Sequence, residues 1–333
     1  QTITGSGGND TLYAGAKADT VDGGAGVDTI YGGAGNDIIA GGAGKDIIFG
    51  QGGIDNIDGG ADNDTIHVDV VANFEALATP ETIDGGAGTD ILNFGAAVGY
   101  TLDATDMHNI KNIEVITADT TGAFSLSLDD TFFTSNGSTS IVIKDVEATA
   151  NATVNASAVI DSSNSIAVTS AGKAGTADSF TGGAGADTFT FNTTLDADVI
   201  DGSDIIAGGK GSDTLVVNVL TIAGNITITT AVSSVENYTF NSADTLALTF
   251  TLADSGVVTS ALQANTGVVD ASGMTGSGAL TFSADAEDDS DMHITGGRAG
   301  DTLTGGNATA SAATGAALFD TIYGGDGGGT IYG

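Results

Sequence analysis

The chain has 333 residues, with 43 acidic side chains against seven basic ones, and a formal net charge of −36. It contains 52 Gly, one Pro, no Cys and no Trp, although 41% of its residues are hydrophobic. The few Lys and Arg are scattered, which excludes the clustered basic surface that nucleic-acid binding requires. Without Cys there are no disulfides and no Cys-ligated zinc. The abundance of β-branched residues argues against disorder. The composition therefore predicts a folded β protein whose negative charge must be balanced by cations.

The longest uncharged stretch does not indicate a membrane helix. It includes the twenty residues from Val216 to Val235, eight of which are Thr, Asn or Ser. Part of the stretch alternates with a period of two, which favours a strand over a helix that crosses a membrane. We therefore expect no transmembrane segment.

Seven consecutive nonapeptides fill the chain from Gly5 to His67. They read GSGGNDTLY, AGAKADTVD, GGAGVDTIY, GGAGNDIIA, GGAGKDIIF, GQGGIDNID and GGADNDTIH. The eighth position is always aliphatic, and the sixth is always Asp: Asp10, Asp19, Asp28, Asp37, Asp46, Asp55 and Asp64. Agreement at two positions over seven copies is not chance, so the pattern is a structural repeat.

Further copies of the nonapeptide occur singly along the rest of the chain. They begin at Gly85, Gly182 and Gly208 and carry Asp90, Asp187 and Asp213 at the sixth position, and a degenerate copy surrounds Asp301. A last copy begins at Gly324 and has Gly329 where the Asp is expected.

The repeat predicts a coil built from short parallel strands. Its Gly pairs permit positive φ in tight turns, and its aliphatic eighth position points into a narrow core. Two nonapeptides make one coil of about 18 residues, stacked on the next at the spacing of paired strands. Asp10 would then lie beneath Asp28 and Asp19 beneath Asp37, and carboxylates stacked so closely repel one another unless a cation lies between them.

Calcium is the cation that fits this oxygen-rich arrangement. It takes about six to eight oxygen ligands, which Asp carboxylates and Gly carbonyls can supply, whereas Mg²⁺ demands octahedral geometry and retains its waters. We predict Ca²⁺ between Asp10 and Asp28, Asp19 and Asp37, Asp28 and Asp46, Asp37 and Asp55, and Asp46 and Asp64. Turn carbonyls such as those of Gly24, Gly26, Gly33, Gly35, Gly42 and Gly44 would complete the sites, and Asp90, Asp187, Asp213 and Asp301 would bind calcium in the later copies.

One nonapeptide departs from the pattern, and one alternative to metal binding remains. Lys17 stands where the second nonapeptide should have Gly, so sites that use its turn are the doubtful ones. The alternative is a β-solenoid in which the Asp side chains cap turns and hold no metal.

The seven in-register copies of G-G-x-G-x-D resemble the RTX family, whose nonapeptides form calcium-binding parallel β-rolls. The remaining Thr-, Ala- and Val-rich segments, with phrases such as IKNIEVI (Ile110 to Ile116) and SSVENYTF (Ser233 to Phe240), resemble the body of RTX-type bacterial surface-layer proteins. The second resemblance implies a calcium-dependent, self-assembling coat exported by type I secretion. The export signal of such proteins is C-terminal and this chain stops inside a repeat at Gly333, so we expect a fragment of a longer protein.

The fold class that follows is all-β, a parallel β-roll or β-helix solenoid; separate β-sandwich domains joined by rolls are the alternative. We divide the chain into an RTX roll (1–68), a β-rich segment (69–173), a second cassette (174–217), a β-rich segment (218–293) and a third cassette (294–333). The stretch from Val68 to Pro80 is the one short helix that we predict.

No constellation indicates catalysis. His67, His108 and His293 are far apart and none lies in H-E-x-x-H; Ser does not occupy the centre of G-x-S-x-G; and no P-loop occurs. The acidic phrase from Asp285 to Asp291 is interpreted as a solvated turn. Tyr13, Tyr31 and Phe49, at the ninth position, are expected to pack between coils or against a neighbour. We therefore expect a protein that is not an enzyme.

Three functional hypotheses remain. The first is an extracellular structural protein of a bacterial cell surface that forms a lattice or filament of itself, with cell-surface polysaccharide as a possible partner of a part outside this chain. The second is a calcium-stiffened segment of an RTX adhesin. The third is the non-catalytic C-terminal part of a secreted RTX enzyme or toxin. Dispersal of the cassettes among β-rich segments favours the first.

Overall fold

A computed structural model describes most of the chain. The described residues are 1–68, 81–95, 99–119, 122–144, 151–170, 177–193, 204–219, 226–228, 231–242, 248–251, 266–275, 277, 279–283, 291–305, 321–326 and 329–332. The chain folds into two compact units, Gln1–Ile160 and Asp161–Gly333. The predicted helix in the stretch from Val68 to Pro80 lies outside the described residues, except for Val68 itself.

The first unit consists of short strands and one helix. Its elements are β1 (Thr2–Thr4), β2 (Thr11–Gly15), β3 (Thr20–Ala25), β4 (Thr29–Ala34), β5 (Ile38–Ala43), β6 (Ile47–Gly52), β7 (Asn56–Ala61), β8 (Thr65–Val68), β9 (Thr82–Ala87), β10 (Ile91–Phe94), β11 (Tyr100–Leu102), β12 (Ile110–Lys111), β13 (Val115–Ala118), β14 (Phe124–Asp129), α1 (Asp130–Asn136), β15 (Ser140–Lys144) and β16 (Ala152–Ala158).

These strands alternate between sheets as the chain winds. One sheet has the order β1-β3-β5-β7-β9-β12, a second runs β2-β4-β6-β8-β10-β13-β15, and a third contains β11-β14-β16. Thr2 pairs with Thr20 and Thr20 pairs with Ile38, so one coil takes 18 residues, as predicted. The eighth-position side chains stack between the first two sheets, and Ile30, Ile48 and Ile66 are fully buried.

The later coils of the first unit enclose a wider core. The aliphatic column continues through Leu92, Ile116 and Ile143, which are fully buried. Aromatic side chains are added to it, and the ring centroid of Phe94 lies 5.1 Å from that of Tyr100 and 6.0 Å from that of Phe124. Helix α1 adds Phe132 and Phe133 to the buried set. These coils therefore bury more apolar surface per level than the narrow roll, where one aliphatic side chain from each strand fills the core.

The second unit repeats this construction. Its strands are β17 (Ser165–Ser170), β18 (Ser179–Thr181), β19 (Thr188–Thr193), β20 (Ile205–Ala207), β21 (Thr214–Val219), β22 (Ile226–Ile228), β23 (Ala231–Ser233), β24 (Asn237–Ser242), β25 (Leu248–Thr251), β26 (Thr266–Asp270), β27 (Leu280–Ser283), β28 (Asp291–Thr295), β29 (Thr302–Thr304), β30 (Thr321–Tyr323) and β31 (Thr330–Tyr332). They form the sheet orders β17-β19-β21-β24-β26-β28-β30, β18-β20-β23 and β22-β25-β27-β29-β31.

The all-β, parallel solenoid is confirmed in both units. Strand pairs described within either unit are parallel, whereas a β-sandwich is built from antiparallel sheets, so the sandwich alternative is wrong.

Helix α1 was not predicted. Its signals are Asp129, which caps the N-terminus by accepting the Phe132 N–H at 2.9 Å, and Gly137 at the C-terminus with φ of 78°. The division into five sequence segments stays a prediction.

Candidate metal centre

The turns of the first roll place carboxylates and carbonyls at regular levels. In G-G-x-G-x-D, the second and fourth residues have positive φ, as in Gly24 at 98° and Gly26 at 133°. A Cβ on Gly24 would lie 2.3 Å from the carbonyl oxygen of Ser6 in the coil below, so the close stacking requires Gly there. Ser6 and Gln51 take the same backbone conformation at the second position, at φ of 80° and 68°. Lys17 does not adopt positive φ, so its turn differs from the others.

The sixth-position Asp residues form two vertical columns. In each column one carboxylate oxygen, Oδ1, accepts the backbone N–H of the Asp one coil earlier. The five pairs predicted from the sequence all make this bond: Asp10 to Asp28 (2.8 Å), Asp19 to Asp37 (2.9 Å), Asp28 to Asp46 (2.8 Å), Asp37 to Asp55 (2.8 Å) and Asp46 to Asp64 (2.8 Å). The structure thus brings the predicted partners together; their binding of calcium stays a prediction.

One column extends past the seven repeats. Asp64 donates its N–H to Asp90 Oδ1 at 2.7 Å, and Asp90 donates in turn to Glu114 Oε2 at 2.8 Å. In the other column the Thr82 N–H donates to the Asp55 carbonyl oxygen at 3.1 Å, and Thr82 pairs with Asn56. The buried residue Glu81, which precedes Thr82, therefore lies beside Asp55. Glutamate therefore takes the Asp position where the nonapeptide pattern ends.

The second carboxylate oxygen, Oδ2, is buried without a hydrogen-bond partner in most of these residues. The atoms concerned belong to Asp10, Asp28, Asp37, Asp46, Asp55, Asp64, Asp90 and Asp213. Within the described part of the chain, no Lys, Arg or His side chain bonds to any of these eight oxygens. A buried carboxylate with an orphaned oxygen is strongly destabilising unless it is protonated or bound by an ion.

Burial in these columns raises the pKa of the carboxyl groups. The pKa is raised to about 6 for Asp55 and to about 7 for Asp64, where loss of hydration is the main cause and the Asp37 or Asp46 charge adds to it. For Asp90 it is raised to about 6, again by burial first and then by the charges of Glu114 and Asp84. A bound cation would remove the penalty that produces these shifts.

The donor set fits calcium. Within the described ranges, no group of three or more His, Cys, Asp or Glu side chains comes close enough to hold a metal. Each level instead offers one carboxylate from each of two coils, together with backbone carbonyls. Close to Asp28 Oδ2 lies the Gly41 carbonyl oxygen, since a Cβ built on Gly23 would meet both, at 2.6 and 2.4 Å. Sites rich in carbonyl oxygen suit Ca²⁺, which accepts irregular oxygen cages.

The later predicted ligands differ from one another. Asp213 has an orphaned Oδ2, and burial, with the charges of Asp187 and Glu236, raises its pKa to about 8. Asp187 accepts the Ile166 N–H on Oδ1 and the Gly183 N–H on Oδ2, both at 2.7 Å. Asp301 is held in the same way by Leu280 and Gly297, at 2.8 and 2.6 Å. Asp187 and Asp301 therefore use Oδ1 to bond the neighbouring coil and Oδ2 to cap their own turns, so neither oxygen is orphaned. Gly329 lies next to Asp301 in the adjacent coil.

Sequence reasoning missed several members of the columns. The buried residues Asp178 and Asp204 form a further pair, with the Asp178 N–H donated to Asp204 Oδ1 at 2.8 Å. The signal was present, because D-I-I-A-G-G from Asp204 repeats the letters from Asp37. Glu81, Glu114 and Glu236 were missed because only Asp was sought at the sixth position.

A profile of the RTX calcium-binding nonapeptide repeat, named for hemolysin-type calcium-binding proteins, matches residues 4–39, 40–70, 82–97, 175–193 and 195–216. These are RTX repeats. The match covers Asp10 to Asp64, Asp90, Asp187 and Asp213, and it stops short of the copy around Asp301. The RTX nonapeptide is a calcium-binding motif, so the match supports Ca²⁺ as the ion of these repeats. Proteins that carry RTX repeats are typically secreted and extracellular.

No curated protein is similar enough to the chain to count as a match. Over the part of the chain that the structure describes, no helix is both long and apolar enough to cross a membrane.

Proposed function

We propose that this RTX protein is a non-catalytic structural component of a bacterial cell surface, exported by type I secretion, which assembles with copies of itself when calcium fills the Asp columns. The observation that carries the proposal is the set of buried carboxylates whose Oδ2 atoms have no partner, in a chain with a net charge of −36. Such a molecule repels its own copies until cations neutralise it.

The surface of the roll supports packing between copies. The flexible charged side chains that normally discourage flat association are few, since Lys and Arg together number seven. Ile38 on β5 and Ile47 on β6, which lie in different sheets of the roll, are 55% and 38% exposed, and Tyr13 is 68% exposed. Once calcium removes the repulsion, these apolar positions favour contact with a second copy.

The experiment is a calcium titration of the purified chain, followed by light scattering and electron microscopy. We expect ordered sheets or filaments above a threshold calcium concentration, and their loss on chelation. The double variant D28N/D46N should require at least several-fold more calcium, because it removes two column carboxylates. The control D22N/D58N removes the same charge from exposed positions of the same roll and should assemble like the parent chain.

The outcomes separate the remaining hypotheses. A chain that folds with calcium yet remains monomeric at high concentration contradicts the coat and favours an adhesin segment, which would appear as single rods. Assembly that is equally strong in chelator would contradict control by calcium.

A further inference from the structure

Both units contain the same short turn directly after a repeat that carries an orphaned Asp. In the first unit the turn is Asn112–Ile113–Glu114, which follows the coil containing Asp90. In the second it is Ser234–Val235–Glu236, which follows the coil containing Asp213. Each replaces a G-G-x-G-x-D turn, because Lys111 pairs with Asp84 and Val115 with Ile91, while Ser233 pairs with Ala207 and Asn237 with Thr214.

The two short turns have matching geometry. Their first residues have positive φ, 50° for Asn112 and 56° for Ser234. Their middle residues, Ile113 and Val235, are fully buried. Their glutamates accept the N–H of the column Asp at 2.8 Å, from Asp90 to Glu114 and from Asp213 to Glu236.

The backbone bonds around the two turns also coincide. The Asp90 carbonyl accepts from Glu114 and Val115 at 3.2 and 3.0 Å, and the Asp213 carbonyl accepts from Glu236 and Asn237 at 3.2 and 2.9 Å. Identical geometry in two units with different neighbours indicates a built motif. In the first unit Asn136 of α1 holds the turn further, accepting from the Ile113 N–H and donating to its carbonyl at 2.8 and 2.7 Å.

At both turns an orphaned carboxylate oxygen is aimed at the junction. Asp90 Oδ2 and Asp213 Oδ2 are buried without a partner, in residues that are 0% and 1% exposed. A Cβ on Gly85 would meet the Asn112 carbonyl oxygen and Asp90 Oδ2, the latter at 2.9 Å, so both oxygens border one space. In the second unit, a Cβ on Gly208 would likewise meet the Ser234 carbonyl oxygen and Asp213 Oδ2. A glutamate that accepts one N–H keeps further lone pairs on its two oxygens, with which it can also ligate a cation.

We propose that Asp90 with Glu114, and Asp213 with Glu236, form a second class of calcium site that closes each column with one Asp, one Glu and the carbonyl of the short turn. The short turn supplies fewer carbonyls than a G-G-x-G-x-D turn, so water would fill more of the coordination shell and the ion would be held more weakly. This inference rests on calcium binding by the repeats and is independent of assembly.

The test compares E114Q and E236Q with the parent chain and with D58N, an exposed carboxylate outside the columns. Gln still accepts the Asp N–H through its carbonyl oxygen, so the substitution removes the charge and leaves the hydrogen bond. Calorimetric calcium titration should show one ion fewer for each Gln variant and two fewer for the double variant. D58N should bind as many ions as the parent chain.

Thermal unfolding in chelator and in calcium distinguishes a ligand from a structural cap. In chelator, each Gln variant should unfold at the same temperature as the parent chain or a higher one, because repulsion with the column Asp is relieved. In millimolar calcium it should unfold at a lower temperature. An unchanged ion count, or the same shift in both buffers, would overturn the proposal, and neither result depends on whether the chain assembles.

Discussion

A single Asp position performs two tasks in this protein. Asp46 gives one oxygen to a backbone N–H of the neighbouring coil and leaves the other buried without a partner. Asp187, at the same position of the repeat, gives its second oxygen to the Gly183 N–H of its own turn. The difference follows the backbone: Gly42 at the second position of one turn has φ of 110°, whereas Gly183 lacks positive φ. Both copies have the same residues at the Gly and Asp positions of the repeat. The backbone conformation of the turn therefore determines whether the second oxygen of the Asp is available to bind a cation.

The pKa shifts predict that protons and calcium compete for the columns. In chelator, folded Asp55, Asp64 and Asp213 have pKa values of about 6, about 7 and about 8, all above the ordinary 3.8. The folded state then binds more protons than the unfolded state between about pH 4 and pH 8, so its stability falls as the pH rises through that window. We expect the melting temperature in chelator to be higher at pH 5 than at pH 8, by several degrees or more.

Calcium should reverse this dependence, because the metal binds the ionised carboxylates. In millimolar calcium the chain should be more stable at pH 8 than at pH 5. Circular dichroism melts in both buffers provide the measurement. A melting temperature in chelator that stays constant or rises between pH 5 and pH 8 would contradict the raised pKa values of these carboxyl groups.

At the scale of the elements, the nonapeptide determines the coil, and most of the coil could be predicted. Seven copies in register predict the strand length, the parallel pairing and the buried eighth position. Alternating side chains and Gly turns at fixed spacing are compatible with few other structures. Prediction failed where the spacing changed. The turn ending at Glu114 has half the length of a repeat turn, and α1 is too short to show helical periodicity. Both depend on long-range contacts, such as those of Asn136 with Ile113, which local pattern does not reveal.

The stacking of Gly turns predicts a position-specific cost for added side chains. Gly42 has φ of 110°, and a Cβ there would lie 2.1 Å from the Gly24 carbonyl oxygen. We expect G42A to destabilise the calcium-loaded roll by about 1–3 kcal/mol, the usual cost of forcing a side chain into a strained backbone region.

The matched control is G7A in the same roll. A Cβ on Gly7 meets nothing within 4 Å, and the corresponding position of the third repeat is Ala25. Calcium-dependent thermal melts should therefore show a loss for G42A and almost none for G7A. Equal losses would contradict the close contact between neighbouring turns.

At the scale of the whole molecule, the coils of the first unit differ in what stabilises them. The first roll joins a narrow aliphatic core to columns of buried carboxylates, so its folding energy depends on the metal. The coils that contain Phe124 and Phe132 bury large aromatic side chains and depend on apolar burial instead. Under the proposed function, calcium would act as the signal of having left the cell, since its concentration is far higher outside.

Removal of calcium should open the roll at residues 1–68 and leave the aromatic coils of the first unit folded. Hydrogen exchange monitored by mass spectrometry, with and without chelator, measures both regions in one experiment. Peptides from Ile30 to Ile66 should lose protection in chelator, whereas peptides from Phe124 to Ile143 should retain it. A first roll that stays protected in chelator would contradict the switch.

In the first roll, each of the strands β2, β4, β6 and β8 carries one aromatic side chain that stacks on the ring of the next strand. Tyr13 and Tyr31 lie 4.8 Å apart and 3° from parallel, Tyr31 and Phe49 lie 4.8 Å apart, and Phe49 and His67 lie 4.2 Å apart. Electronic transitions of phenol rings held so close and so nearly parallel couple to one another, and the chain has no Trp to mask their absorption. The near-ultraviolet dichroism of Tyr13 and Tyr31 therefore reports the distance between two neighbouring coils, so the closing of the roll can be followed in real time without a label.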